Sequence, residues 1–317
     1  MSGTVSTTRV VALHLAIIAL LFAANFVLPE YHRGVFSRVL VLATFAMGYN
    51  ILFGYTGLLS LGHAMFFAAG LYGAGLPLYH LGWNVPLSFV SGIAAGGVLA
   101  AAIGVLALRT TGVAFMIVTL MFAQVFFLAT LYFTTWTRGE EGLVLPQQAR
   151  NALDISLTDP SARYMIALAL FSVVLLIVLR LVRAPYGRTL IAIRENEERM
   201  RMLGYDVFRA KLSAVILSGL FCASAGAAYG LLFGYIGSGF ASIQYSILPL
   251  LWVLLGGAAT TLGPLLGTLF MFYIIDYTSG LTTAYLLFVG LALILLILFF
   301  PKGLLGSVRE RWLPWLP

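Results

Sequence analysis

One stretch of the chain, residues 183–211, reads RAPYGRTLIAIRENEERMRMLGYDVFRAK and holds seven of the 18 Lys and Arg and four of the 11 Asp and Glu. Long apolar segments flank it on both sides. Loops rich in Lys and Arg stay on the cytoplasmic side of a membrane, so this stretch sets which way the whole chain faces. Its interior carries helix punctuation. Asn196 has a side-chain oxygen that can accept from the free N–H groups of a first turn. Glu197 and Glu198 follow, where the helix dipole favours anions. Arg199 and Arg201 come later, and Gly204 suits a left-handed position just past a helix end. The pattern predicts a short helix over 197–203, about 10 Å long, led into by Leu190, Ile191 and Ile193. Such a helix is a handle for a partner protein or an ordinary solvated loop helix. Spacing alone does not choose between them.

The remainder is too apolar for a water-soluble domain. It is part of a chain 61% hydrophobic and 9% charged, where soluble domains carry roughly 25% charge. The fold class is therefore an all-α polytopic membrane protein, with one transmembrane domain over 1–317. About 20 apolar residues cross a bilayer core. Spans are expected near 10–28, 37–53, 62–80, 87–108, 114–134, 163–182, 210–233, 244–256, 262–277 and 282–300, about ten in all. With 183–211 inside, the count places both termini and the short link 109–112 inside, and the polar segment 135–162 outside. Arg33 and Arg38 fall outside and run against the rule. The apolar run after Arg9 lacks a small-residue cleavage site and reads as a retained helix. The net charge of +7 sits where membrane orientation needs it and does not argue for nucleic acid. A lone Cys222 excludes a disulfide framework.

Two uncharged, Gly-dense stretches interrupt the apolar pattern: GYTGLLSLGHAMFFAAGLYGAG at 54–75 and GGAATTLGPLLG at 256–267. The span before the second is only 13 residues, roughly 20 Å as a helix and short of a roughly 30 Å core. Irregular backbone at membrane depth survives only where it is buried in protein or lines a wet cavity. Broken or re-entrant helices are therefore expected at both places. Ser60-Leu61-Gly62-His63 echoes Thr261-Leu262-Gly263-Pro264, which raises a two-half internal repeat. The plain alternative is that Gly is abundant and small residues let helices pack.

Little in the chain can carry catalysis. Neither lysine, Lys211 or Lys302, sits in the Gly-Lys-Ser/Thr context that cradles phosphates, so no P-loop is present. No Cys or His pair has metal-ligand spacing. Ionisable groups inside spans are functional candidates by default. His63 is one, as a donor to a substrate or, equally, as a hydrogen-bonded histidine at a helix start. Ser60 with His63 lacks the acid of a hydrolase. Gln124 and Thr119 lie mid-span and can line a path or join helices. His14, His80 and Arg180 lie near span ends and are read as snorkelling. Asp276 lies near the outer end of its span.

These residues resemble a known family. The stretch 54–75 is similar to the Gly-Tyr-x-Gly-x-x-Ser-Leu-Gly-His signature of LivM-type permease subunits of branched-chain amino acid (HAAT family) ABC importers. Residues 185–230 resemble that family's cytoplasmic Gly-Arg…Ile-Arg-Glu-Asn-Glu…Leu-Gly loop and following helix. LLGGAATTLGPLLGTLF at 254–270 and FFPKGLLG at 299–306 resemble its C-terminal pattern.

The resemblance implies a transport subunit that is not itself an enzyme, in a bacterial inner membrane. Its implied partners are a second, LivH-type permease, two cytoplasmic ATPase subunits that hold ATP and Mg, and a periplasmic substrate-binding protein. On this reading the loop carries the ATPase-coupling residues Gly187, Arg188, Arg194, Glu195, Asn196, Glu197, Glu198, Leu203 and Gly204. Gly54, Tyr55, Gly57, Ser60, Gly62, His63, Gln124, Gly256, Gly257, Gly263 and Pro264 lie on the translocation path, half of which this chain forms. Family members carry Thr-Gly-Gly-x-x-Gly-Leu outside; Thr137-Arg138-Gly139-Glu140-Glu141-Gly142-Leu143 departs from it. Arg138, Glu140 and Glu141 are placed at an external entrance, and the change leaves a branched-chain amino acid open beside urea, short amides and aromatic carboxylates. A stand-alone carrier or channel is the alternative class.

Overall fold

The structure is a computed structural model that describes residues 7–152, 155–281, 287, 290–291, 294, 298–299 and 302–311. The expected span over 282–300 therefore lies largely outside the described residues. Helices stand where the earlier spans are expected: α1 Thr7–Val27, α2 Glu30–Asn50, α3 His63–Leu81, α4 Val85–Ala107, α5 Val113–Tyr132, α7 Pro160–Arg183, α10 Val207–Phe233, α11 Ile243–Gly256 and α12 Gly263–Leu281. Among the described residues six helices are long and apolar enough to cross a membrane by length and composition, and α11 is a shorter apolar helix. The described residues also form the short helices α6 Thr134–Thr137, α8 Pro185–Glu195, α9 Glu197–Met202 and α13 Gly303–Arg311.

Local chemistry explains where the helices start. Asn84, Asp159, Asp206 and Ser242 each accept, through the side chain, a backbone N–H of the first turn of α4, α7, α10 and α11. Each thereby satisfies one of the donors a helix start leaves open. Pro86 and Pro160 occupy first turns that need no N–H there.

The helix α2 runs through the centre, buried on nearly every side from Val35 to Asn50. It is flanked by α7, α10, α11 and α12. The helices α3, α4 and α10 cross at backbone contact. A methyl placed on Gly226 would lie 1.9 Å from the Phe67 carbonyl oxygen, and one on Gly70 2.0 Å from that of Ala223. Apolar side chains cover the outside. Val113, Ile117, Met121, Val125, Leu128 and Tyr132 form an exposed stripe along α5. Lipid tolerates this surface and water does not.

The loops sort to two ends. Strand β1 (Leu143–Val144) pairs antiparallel with β4 (Tyr235–Ile236), joining the segment after α5 to the turn after α10. The helices α8 and α9 lie at the opposite ends of α7 and α10. The segment expected as a plain external loop is more structured than that: it contains α6, a one-turn helix at Gln147–Arg150, and a hairpin of β2 (Asn151–Ala152) with β3 (Ile155–Ser156). The chain also departs from purely helical structure at these two-residue pairings.

Candidate functional site

Both Gly-dense stretches contain non-helical backbone, and they meet. After α2 a π turn, Ile51–Tyr55, leads into irregular chain over 56–62. The first break is shorter than its Gly-rich sequence, because α3 is regular from His63 onward. Irregular chain over 257–262 separates α11 from α12. Asn50 joins the two breaks. Its Oδ1 accepts from the Ala259 N–H at 3.0 Å and its Nδ2 donates to the Thr260 carbonyl at 2.9 Å. Ala259 has φ +56°, a left-handed conformation unusual for alanine. The packing is close: a methyl on Gly54 would lie 2.1 Å from Asn50 Oδ1, and one on Gly256 1.8 Å from the Gly263 oxygen. Pro264 sits in the first turn of α12, where no helical N–H is required.

His14 reaches the second break from α1. Its Nδ1 donates to the Val10 carbonyl and its Nε2 accepts from Thr261 Oγ1, both at 2.7 Å. It is fully buried, so the snorkelling read from its position near a span end is wrong. The helix packs its first turns against the second break rather than against solvent.

His63 opens α3 and is fully buried. Ser218 Oγ donates to the Gly48 carbonyl at 2.7 Å, so it accepts from His63 Nε2–H at 2.9 Å. Ser60 Oγ accepts from Gly62 N and donates its own proton to Nδ1 at 3.1 Å. The network assigns the neutral Nε2–H tautomer and leaves neither ring nitrogen available to a ligand. The edge of Tyr49 closes against the ring, and Ser246 Oγ accepts the Ala64 N–H at 3.0 Å. His63 therefore joins the start of α3 to α10 and α2. Gly62 packs on the Thr119 carbonyl of α5, while Gln124 lies half-buried farther along that helix.

At the charged end, Asn196 Oδ1 accepts from Arg199 N at 2.9 Å, as the sequence predicts. The helix stops at Met202, with Leu203 as its final cap. Gly204 takes φ +85°, and its N–H and that of Tyr205 bond to the Arg201 and Met200 carbonyls. This is the paired bonding that a glycine past a helix end permits.

The segment before Asn196 is itself a helix, α8. Arg194, near its end, turns back to the first break and donates to the Gly54 carbonyl at 2.5 Å, with its other edge on Glu195 at 2.9 Å. Gly57, at φ +74°, lies so close that a methyl there would sit 2.5 Å from Arg194 Cγ. Gly187 is buried against the last carbonyls of α7. Arg188, Glu195 and Glu198 are exposed, and Met202 and Leu203 are 84% and 65% exposed.

Glu197 braces α9 against the foot of α10, pairing with Arg201 one turn on and with Lys211. Its partial burial pushes its pKa up, but the Lys211 hydrogen bond and the Lys211 and Arg201 charges outweigh this, leaving it below the ordinary carboxylate range. A lowered folded-state pKa means that the carboxylate stabilises the fold above its unfolded pKa and loses that contribution as pH falls through the folded one. Protection of the α9 amides, measured against the intrinsic exchange rate at each pH, is thus expected to fall on acidification below about pH 5. Glu197→Gln should show fast exchange already at neutral pH, a loss of about 1 kcal/mol. An unchanged exchange profile in that variant would refute the brace.

At the opposite end Arg138 ends α6 with φ +58°, at the place where the related pattern carries glycine. It donates to the Tyr79 hydroxyl at 2.9 Å and lies over that ring, contacts that offset the backbone strain. Glu140 and Glu141 are exposed. Arg33 donates to Ser161 Oγ at 3.3 Å, and Arg38 and Arg163 each lie 5.4 Å from the centre of the Phe233 ring. Tyr31 donates to Asp276 nearby.

Residues 33–299 match the family model described as branched-chain amino acid transport system / permease component. The chain is 28% identical over 332 residues to the high-affinity branched-chain amino acid transport system permease protein LivM of Escherichia coli (strain K12), with 96% of this chain and 77% of that one covered. It is 27% identical to the LivM protein of Salmonella typhimurium over the same shares. It is also 30% identical over 142 residues to a probable branched-chain amino acid transport permease protein LivM of Methanocaldococcus jannaschii, covering 40% of this chain and 41% of that one. No solved structure matches it significantly.

Proposed function

The chain belongs to the branched-chain amino acid transport permease family, and from that premise we propose that it is one permease subunit of an ATP-driven importer. It is a multi-pass membrane protein and a transport permease component. In the proposed assembly it forms half of a path for a branched-chain amino acid or a similar small solute, beside a second permease. A binding protein delivers the solute to the end bearing β1 and β4, and two ATPase subunits act at the end bearing α8 and α9. That places 183–211 and both termini in the cytoplasm of a bacterial cell. About ten spans, arranged as two halves around the two breaks, belong to the same proposal.

One observation carries this reading. Arg194, at the end of the exposed α8, grips the carbonyl of Gly54 inside the first break, and Asn50 ties that break to the second. A push on α8 and α9 is thereby delivered to the only irregular backbone that the described helices enclose at this end. The exposed Met202, Leu203 and Glu198 offer the surface to be pushed. Gly187 and Glu197 support this device from inside rather than meeting a partner.

Reconstitution with and without the partner subunits tests the proposal. The chain alone in liposomes is expected to give no uptake, and the full assembly ATP-dependent uptake. Arg194→Ala should leave ATP turnover running while uptake falls at least tenfold, with the binding protein's affinity unchanged. Uptake by the chain alone would favour a stand-alone carrier, and uptake coupled as in wild type in Arg194→Ala would reject the linkage.

A further inference from the structure

Gln244 stands on the first turn of α11 and is exposed, and Gln124 stands half-buried on α5. Neither side-chain amide makes a hydrogen bond among the described residues. One bond fixes the depth of Gln244. Ser246, two residues on, accepts the Ala64 N–H near the start of α3. From there α3 runs about 25 Å to Leu81, at the end where Arg138 meets Tyr79. From Gln244, α11 runs about 18 Å the other way to Gly256, at the end where Leu254 and Arg194 line one cavity. Gln244 therefore lies deep in the bundle. Gln124 does too, about 16 Å from the start of α5 and about 12 Å from its end.

An amide facing hydrocarbon at this depth forfeits every hydrogen bond it makes in water. Each of the two must meet water, a solute or another chain. Both helices reach the breaks. Thr119 of α5 accepts the Leu61 N–H at 3.3 Å in the first break, and α11 ends at the second. They also pack against one another. A wet path beside the breaks satisfies both amides at once, whereas a neighbouring subunit would have to place a matching polar group opposite each.

We propose that Gln244 and Gln124 line the solute path in mid-membrane, and that Gln244 is a specificity-determining residue that hydrogen-bonds the solute as it passes. The inference rests on the reading of the chain as half of a transport path. A neutral amide offers donors and an acceptor together. It matches the carboxylate and ammonium of an amino acid, or the C=O and N–H of an amide, without a fixed charge to trap either, and passage requires binding weak enough to release. The selected class is therefore solutes that carry donors and acceptors close together, with an apolar tail left to neighbours such as Ile247 on the next turn.

The test is thiol labelling of the assembled transporter in membranes, read as a mass shift on this chain. Cys222 is its one cysteine and is fully buried, so the unaltered chain gives the background. A charged, water-soluble thiol reagent should label Gln244→Cys and Gln124→Cys on the order of tenfold faster than Val98→Cys, where Val98 is an exposed apolar residue of α4. Leucine at a saturating concentration should slow the labelling of Gln244→Cys. Gln244→Leu should raise the KM for uptake by up to about tenfold, and Gln244→Asn, which keeps an amide, by less; Gln244→Ala serves if the leucine variant does not assemble. Labelling of both cysteines no faster than Val98→Cys, with and without ATP, would place the amides against lipid or the second permease and overturn the proposal. Fast labelling with a wild-type KM in Gln244→Leu would overturn the specificity role. Uptake that ignores ATP while both cysteines label fast would instead sink the importer reading and leave the lining role standing.

Discussion

Asn50→Ala is expected to lower the melting temperature of the purified chain by several degrees and to abolish uptake in the assembled transporter. The side chain is buried and satisfies two main-chain groups of another segment, the Ala259 N–H and the Thr260 carbonyl. Removing it leaves a donor and an acceptor buried without partners, at about 1–3 kcal/mol each, so the loss is roughly 2–6 kcal/mol. The break has no regular helix bonds at these positions to fall back on, and Ala259 already holds a strained φ. Asn50→Asp should not rescue. It keeps an acceptor for Ala259 but turns a carboxylate oxygen towards the Thr260 carbonyl, where the amide had donated. A control at Gln124, half-buried on α5, should change stability little when made Leu. Normal melting and uptake in Asn50→Ala would show that the two breaks do not depend on this bridge and would remove the linkage from Arg194.

Asn50 also marks the boundary of what could be read beforehand. A lone amide inside an apolar helix is a signal, since polar groups at membrane depth are expensive and retained for a reason. Its partners, however, lie 209 and 210 positions away, and nothing local points to them. The short helix at 197 was legible for the opposite reason. Asn196, Glu197 and Gly204 act on atoms within a few residues of themselves, and cap bonding is local chemistry. The same loop hid its long-range half: Arg194 bonding back to Gly54, and Glu197 bracing Lys211. His63 shows the division within one residue. Its place at a helix start was readable, but the choice between ligand and satisfied histidine depended on Ser218, 155 positions on.

Glycine carries the other large expected effect. The abundance of Gly in this chain predicts close helix packing without saying which residues make it, because packing depends on rotation and crossing point as well as composition. The structure separates them. In Gly226→Ala the new methyl would lie 1.9 Å from the Phe67 carbonyl oxygen, a backbone atom of α3 that no rotamer can move. The helices α3 and α10 must then separate, and Gly70 sits at the same crossing against Ala223. Separation also disturbs the His63–Ser218 bond between those helices. The expected loss is about 3 kcal/mol, the upper part of the range for overpacking, read as a lower melting temperature and reduced yield of monodisperse protein. Gly34→Ala supplies the contrast. It lies within α2 with nothing inside 4 Å of the added methyl, so it should be neutral or stabilise by up to about 1 kcal/mol through backbone entropy. If the two variants melt alike, the backbone crossing is not what holds these helices. If Gly226→Ala alone falls, backbone contact at the α3–α10 crossing is what holds these helices together.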